Sequence, residues 1–138
     1  MVMALDVGSK RVGVAVADPT GTFALPVTTI ERTNVRSDVD RIVDLAEQYG
    51  ATELVVGDPV TLSGERGIAA EKIDRFVEQL SRAFSGSIVR VDERLTTAQA
   101  TKTLLAADVS RAKRRTVIDK MAAALILETY LARRAGGR

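Results

Sequence analysis

The chain has 138 residues with 46% apolar composition, 28% charged composition and a formal net charge of +2, which suits one domain with its own hydrophobic core. It contains no cysteine and no histidine, so disulfides, thiolate nucleophiles, imidazole bases and zinc–sulfur sites are excluded. Catalysis by this chain must therefore use carboxylates, lysines, hydroxyls or a metal held by oxygen atoms, and oxygen ligands favour hard cations such as Mg²⁺ and Mn²⁺.

The first quarter of the chain predicts three antiparallel strands. Apolar runs at Met1–Val7 and Arg11–Ala17 are joined by the tight connection Gly8-Ser9-Lys10. A second turn signal, Asp18-Pro19-Thr20-Gly21, leads into a third strand at about Phe23 to Glu31.

Helices then alternate with strands. Helical spacing predicts a helix that contains Val39 and Ile42 and is closed by Gly50. A buried strand at Glu53–Gly57, a loop from Asp58, a second helix containing Ile68 to Leu80 and a fifth strand at Ser87–Asp92 follow. The capping-box pattern Thr96 to Gln99 begins a third helix that ends near Ala107, and a last helix runs from about Thr116 to Arg133. This order predicts an α/β fold in which a mixed five-stranded sheet, three antiparallel strands and then two parallel ones, is flanked by helices in a single domain, 1–138.

No apolar run is long enough for a membrane span. The N-terminal residues have no basic region and reach Asp6 too early for a signal peptide. A cytoplasmic location without a membrane partner is expected.

Two acidic residues lie at strand ends. Asp6 ends an apolar strand, where an ionised carboxylate is costly unless it is paired or coordinated; the alternative is that it belongs to the turn and accepts backbone amides. Glu93 follows the fifth strand and shares the parity of Val89 and Val91. Its alternative is a solvated strand end paired with Arg94.

A third acid, Asp119, lies on the last helix. Helical spacing puts Ala122, Ala123 and Ile126 on its face, and small alanines let a helix approach a sheet closely. The alternative is an acid that merely favours the helix dipole. Three carboxylates forced together repel each other, and a divalent cation offsets that repulsion. Such metal ions support in-line displacement at phosphorus without histidine or cysteine.

Four segments in this order resemble the bacterial YqgF family, and the resemblance covers essentially the whole chain. The segments are Asp6-Val7-Gly8-Ser9-Lys10-Arg11-Val12-Gly13, Val56-Gly57-Asp58-Pro59, Asp92-Glu93-Arg94-Leu95-Thr96-Thr97 and Val117-Ile118-Asp119-Lys120-Met121-Ala122-Ala123. Members of that family are described as Holliday junction resolvases and as pre-16S rRNA nucleases with a ribonuclease-H-like fold.

The resemblance implies a metal-dependent nuclease whose catalytic and metal-binding acids are Asp6, Glu93 and Asp119, with Mg²⁺ or Mn²⁺ as cofactor. Its substrate would be structured RNA, the 5′ end of pre-16S rRNA, or alternatively a branched DNA junction, for which a homodimer with two active sites is expected. Asp58 departs from the family, which usually has an apolar residue there, so an extra acid near the site is expected to affect metal affinity or phosphate approach.

Basic residues near these motifs are candidates for nucleic-acid binding. Lys10, Arg11 and Arg94 flank the carboxylates, and Arg111, Lys113, Arg114 and Arg115 precede the helix of Asp119. The alternative for the second group is a solvated loop. The loop from Asp58 to Gly67 opens a helix that could meet a phosphate, or it is an ordinary connection.

Two rival classes share parts of this pattern. An actin-like ATPase has a similar phosphate loop but needs two such domains, and 138 residues supply one. A non-catalytic nucleic-acid-binding domain could keep the fold, but binding alone would favour fewer negative charges facing phosphates.

Overall fold

The computed structural model describes residues 1–58, 67–92 and 111–136, with the backbone alone for residues 69, 111–116 and 136. The strands are β1 (Val2–Val7), β2 (Arg11–Ala17), β3 (Ala24–Glu31), β4 (Glu53–Asp58) and β5 (Ser87–Asp92). The helices are α1 (Val35–Tyr49), α2 (Ile68–Ala83) and α3 (Arg111–Gly136).

The five strands form one mixed sheet in the order β3-β2-β1-β4-β5. β1 pairs antiparallel with β2 and parallel with β4, and β4 pairs parallel with β5. The predicted fold class is therefore confirmed. Because β1 is central, its residues from Val2 to Leu5 are fully or almost fully buried.

The sheet separates two apolar cores. One face packs Met3, Leu5 and Val14 against α1 and α2 residues such as Ile42, Phe76 and Leu80. The other face packs Ala4, Ala15 and Val55 against Ala122, Ala123 and Ile126 of α3. Even-numbered residues of β1 and odd-numbered residues of β2 and β5 therefore lie on the α3 face.

Local sequence signals account for the helix and turn boundaries. The Asn34 side chain accepts a hydrogen bond from the Ser37 amide at the start of α1, and Gly50 ends the helix in the left-handed conformation at φ 67°. In the β2–β3 turn, the Asp18 carboxylate accepts the amides of Thr22 and Phe23. The hydrogen bond from the Thr20 hydroxyl, together with these two amide bonds, lowers the pKa of Asp18 to about 2.

One helix boundary differs from the prediction. The last helix was expected to begin near Thr116, with the basic run ahead of it as a connecting segment, but α3 begins at Arg111 and includes that run. Arginine, lysine and alanine all have high helix propensity, so this segment needs no apolar periodicity to extend the helix. The predicted helix from Thr96 to Ala107 lies outside the described residues.

Candidate active site

Asp6 is a buried carboxylate near the end of the central strand. Its exposed fraction is 5%. It follows Val2 and Ala4 on the α3 face of the sheet, and its partner in the register with β2 is Gly13. A carboxylate in such a place needs polar partners or a cation, because burying its charge alone is very costly.

Asp119 lies beside the same point of the sheet. A Cβ atom built on Gly13 would lie 1.9 Å from the Asp119 carbonyl oxygen and 2.3 Å from its carbonyl carbon. The backbone of α3 therefore touches β2 where only a glycine leaves room. Directly opposed residues of antiparallel strands project to the same face, so Asp6 and the α3 turn that carries Asp119 meet at one level of one face.

Small side chains make this close approach continuous along α3. Ala122, Ala123 and Ala124 are buried against the sheet, as is Ile126. The predicted close approach through alanines is confirmed for the described residues. Gly13 was missed as a contributor, because a glycine within a strand shows that something approaches closely but does not show what.

Arg11 holds the Asp119 carboxylate. Its Nε donates to Asp119 Oδ2 at 2.9 Å, and the two side chains are 18% and 21% exposed. Arg11 lies two residues before Gly13 and so shares its face of β2. The sequence suggested a phosphate contact for Arg11; in the structure its guanidinium is an immediate counter-ion of a candidate metal ligand.

The structure describes only some of the other predicted site residues. Lys10 is exposed in the β1–β2 connection. Glu93 and Arg94 lie outside the described residues, as do the side chains of Arg111, Lys113, Arg114 and Arg115. Val91, whose parity Glu93 shares in the sequence, packs on the α3 face, and the position of Glu93 stays a prediction.

Asp58 faces away from this site. It ends β4 on the face opposite Asp6, where it pairs with Arg90 at 3.1 Å. Arg90 also donates to Asp74 of α2. The structure therefore does not support the expected influence of Asp58 on the carboxylate site. Its charge belongs instead to a group of ion pairs that joins β4, β5 and α2.

An ion pair between half-buried Arg32 and buried Asp38 holds the β1–β2 connection that follows Asp6. The Arg32 guanidinium donates through Nε to Asp38, at 3.1 Å, and through one terminal nitrogen to the Gly8 carbonyl, at 2.8 Å. The Arg32 amide also donates to the Lys10 carbonyl, and its guanidinium carbon lies 5.0 Å from the centre of the Phe76 ring. Asp38 is fully buried. Sequence reasoning missed both residues, since an acid in the first turn of a helix is ordinary.

Replacing Arg32 with alanine should destabilise the fold by about 3 kcal/mol, because the buried Asp38 charge would lose its counter-ion. The second substitution Asp38→Asn should recover part of that loss, since the uncompensated charge is then gone. Urea unfolding of the two single variants and the double variant measures this coupling. Strictly additive losses would show that the pair has no energetic connection.

The donor set fits a hard divalent cation. Asp6 and Asp119 supply carboxylate oxygens at a place where the chain offers no imidazole or thiolate anywhere in its sequence. The described residues contain no group of three acidic residues arranged for a metal; Glu93, the third acid that the sequence names, lies outside them. No described helix is long and apolar enough to span a bilayer.

Comparison with solved structures identifies the fold class. The chain superposes on Thermus thermophilus RuvC in complex with a Holliday junction substrate with a TM-score of 0.59, covering 98% of this chain and 96% of that chain at 11% identity. The mixed sheet with a carboxylate on its central strand is therefore the ribonuclease-H-like fold.

The chain belongs to the RuvX family, described as Holliday junction resolvase, whose model matches residues 1–133. This match confirms the resemblance to the YqgF family and assigns the chain to a class of nucleases. A relative from Thermoanaerobacter pseudethanolicus is 47% identical over 131 residues, 94% of each chain, and is named "Putative pre-16S rRNA nuclease". A relative from Desulforudis audaxviator with the same name is 43% identical over 136 residues, 99% of this chain and 96% of its own.

Proposed function

We propose that this chain is a Mg²⁺-dependent endonuclease that processes the 5′ end of pre-16S rRNA in the cytoplasm. The observation that carries the proposal is the convergence of Asp6 and Asp119 at Gly13. The choice of RNA rests on relatives at 43% to 47% identity that carry that name.

Each predicted residue has a proposed role. Asp6, Glu93 and Asp119 hold Mg²⁺ or Mn²⁺, which when bound activates water and stabilises the leaving oxygen of a phosphodiester. Lys10 and Arg94 hold phosphates beside the carboxylates, and Arg11 joins them when a bound metal displaces it from Asp119. Arg111, Lys113, Arg114 and Arg115 grip the nucleic-acid backbone without reading its sequence.

Cleavage of four-way DNA junctions is the second candidate. The family description and the fold shared with a junction-bound RuvC favour it. Two symmetric cuts in one junction need two active sites, so this activity requires a homodimer.

A side-by-side assay separates the candidates. Purified protein with Mg²⁺ is given a pre-16S rRNA 5′ fragment and a synthetic four-way junction, and its mass in solution is measured by light scattering. Cleavage of the RNA that EDTA abolishes is expected. Symmetric cutting of the junction alone would replace the first candidate with the second, and binding without cutting of either substrate would overturn both.

Arg11 should weaken metal binding in the resting protein because it neutralises one metal ligand. The Arg11→Gln variant is expected to be less stable without metal by about 1 kcal/mol, the scale of a partly exposed ion pair. Mg²⁺ should raise its melting temperature more than it raises that of the wild type, because no guanidinium competes for Asp119.

Thermal melting with and without Mg²⁺ measures both effects without a cleavage assay. The matched control is Arg82→Gln, which deletes the exposed Arg82–Glu78 pair on α2. Equal Mg²⁺ shifts in Arg11→Gln, Arg82→Gln and wild type would contradict competition between Arg11 and the metal.

A further inference from the structure

A groove runs between α1 and α2 and opens beside the end of the central strand. Among the described residues, its mouth is formed by Asp6, Val7, Gly8 and Ser9. Its walls come from the first turns of α1 and the length of α2, with Val39, Ile73 and Phe76 at its base. The groove therefore begins at the β1–β2 connection directly after Asp6 and continues on the sheet face opposite α3.

The groove carries cations that other described residues do not neutralise. Arg36 on α1 and Lys72 and Arg75 on α2 are exposed, line the groove and form no ion pair within the described part of the chain. Three acids also line it: Glu78, which already pairs with Arg82 at 2.7 Å, Asp40, and Asp6 at its mouth, so the three cations still outnumber the two acids that remain. The charge that remains favours an anionic ligand.

Exposed apolar side chains lie at the same end of the groove. Val35 and Ile68 are 39% and 74% exposed, and each is the first residue of its helix. Both helices thus present their N-terminal amides, with their partial positive charge, beside these side chains. Phosphates suit the cations and the amides, while sugars and unpaired bases suit the aliphatic surface.

The dimensions favour a single strand. Packed helices have axes about 8–10 Å apart, whereas the major groove of a duplex is itself about 12 Å wide. A cleft on this scale suits one extended strand along the line of cations better than it suits a duplex.

Arg32 connects this groove to the candidate active site. Its guanidinium lines the groove, lies over Phe76 and donates to the carbonyl of Gly8, two residues after Asp6. A nucleic-acid strand in the groove would therefore lie against Arg32, the residue that also holds the β1–β2 connection.

Resting on the proposed nuclease function, we infer that the α1–α2 groove holds a single-stranded extension of the nucleic-acid substrate as it leaves the cleavage site. The extension's phosphates contact Arg36, Lys72 and Arg75, and its unpaired nucleotides cover Val35 and Ile68. Affinity for the substrate then depends on unpaired nucleotides next to the cut.

The test measures binding, so that it does not depend on catalysis. Two labelled RNA hairpins, one blunt and one with an eight-nucleotide single-stranded extension, are titrated by fluorescence anisotropy against the full chain. The groove variant Arg36→Gln/Lys72→Gln/Arg75→Gln is compared with Arg41→Gln/Arg133→Gln/Arg134→Gln, which removes the same charge from exposed positions outside the groove.

The groove variant should bind the extended hairpin about tenfold more weakly at 0.1 M salt, and its log–log salt slope should fall by about 2, as expected for three lost contacts to a single strand. Blunt-hairpin binding should stay unchanged, and the control variant should behave as wild type. Equal weakening of both hairpins, or of both variants, would overturn the inference.

Two further results separate this inference from its premises. Normal cleavage by a groove variant that still binds the extended hairpin tightly would sink the groove assignment and leave the nuclease proposal standing. Absence of cleavage by the wild type, with binding that still depends on the extension, would overturn the nuclease proposal and leave the groove assignment standing. A change of oligomeric state in the groove variant, with RNA binding unaltered, would show that a second copy of the chain occupies the groove and would overturn the inference.

Discussion

The Asp6→Asn variant is expected to lose RNA cleavage by a factor on the order of 10³ while its affinity for the substrate stays equal or rises. A metal site contributes several kcal/mol of transition-state stabilisation, and each 1.36 kcal/mol is about tenfold in rate. Asp6 is the buried acid on the central strand, and asparagine keeps its shape but loses the charge that holds a cation. One fewer negative charge near the phosphates explains the retained or tighter binding.

Single-turnover cleavage and anisotropy on the same labelled RNA measure both quantities. The matched control is Asp44→Asn, the same chemical change at an exposed position on α1, which should cut at the wild-type rate. Wild-type cleavage by Asp6→Asn would remove the carboxylate mechanism. Loss of binding in parallel with cleavage would instead indicate a folding defect, which the melting temperature of the variant reveals.

The second large effect is expected at Gly13. Adding one methyl group in Gly13→Ala puts a Cβ atom at 1.9 Å from the backbone of Asp119, so α3 must move away from β2. Overpacking of this kind costs about 1–3 kcal/mol and occasionally more, and each kcal/mol lowers the melting temperature by roughly 4 °C at this chain length. Because Asp119 moves with the helix, cleavage should fall even at temperatures where the variant remains folded.

Gly67→Ala provides the control for Gly13→Ala. Among the described residues, a Cβ atom on Gly67 meets nothing within 4 Å, and its φ of −89° is ordinary for alanine. Calorimetry and cleavage assays of both variants should therefore separate the loss of a glycine from the displacement of α3. A Gly13→Ala protein with wild-type stability and activity would mean that the position of α3 does not depend on its contact with Gly13.

The sequence predicts the strands and the first two helices well because each has a local signal. The alternation in β2, the apolar run of β4 and the cap at Gly50 identify these elements without reference to the rest of the chain. The predicted start of α3 was wrong because the first turns of this helix carry charged residues rather than an apolar periodicity. Helix propensity alone, which is a weak local signal, extends it to Arg111.

The candidate site is predictable only in part, for a related reason. Asp6 and Asp119 could be selected from the sequence because a charge beside buried residues is unusual. Their connection through Gly13, the Arg11 counter-ion and the Arg32–Asp38 pair depend on contacts between segments far apart in the chain. No local pattern records which distant segment a strand glycine or an arginine will meet.

The early start of α3 also sets a length. The helix rises about 1.5 Å per residue, so the backbone at Arg115 and Arg111 lies about 6 and 12 Å along the axis from Asp119. One strand of a duplex advances about 3.4 Å per nucleotide. If the proposed phosphate contacts form along this helical segment, the phosphates held there lie roughly two to four nucleotides from the bond that is cut. The length of α3 before Asp119 would then fix the distance between the bound phosphates and the cleaved bond.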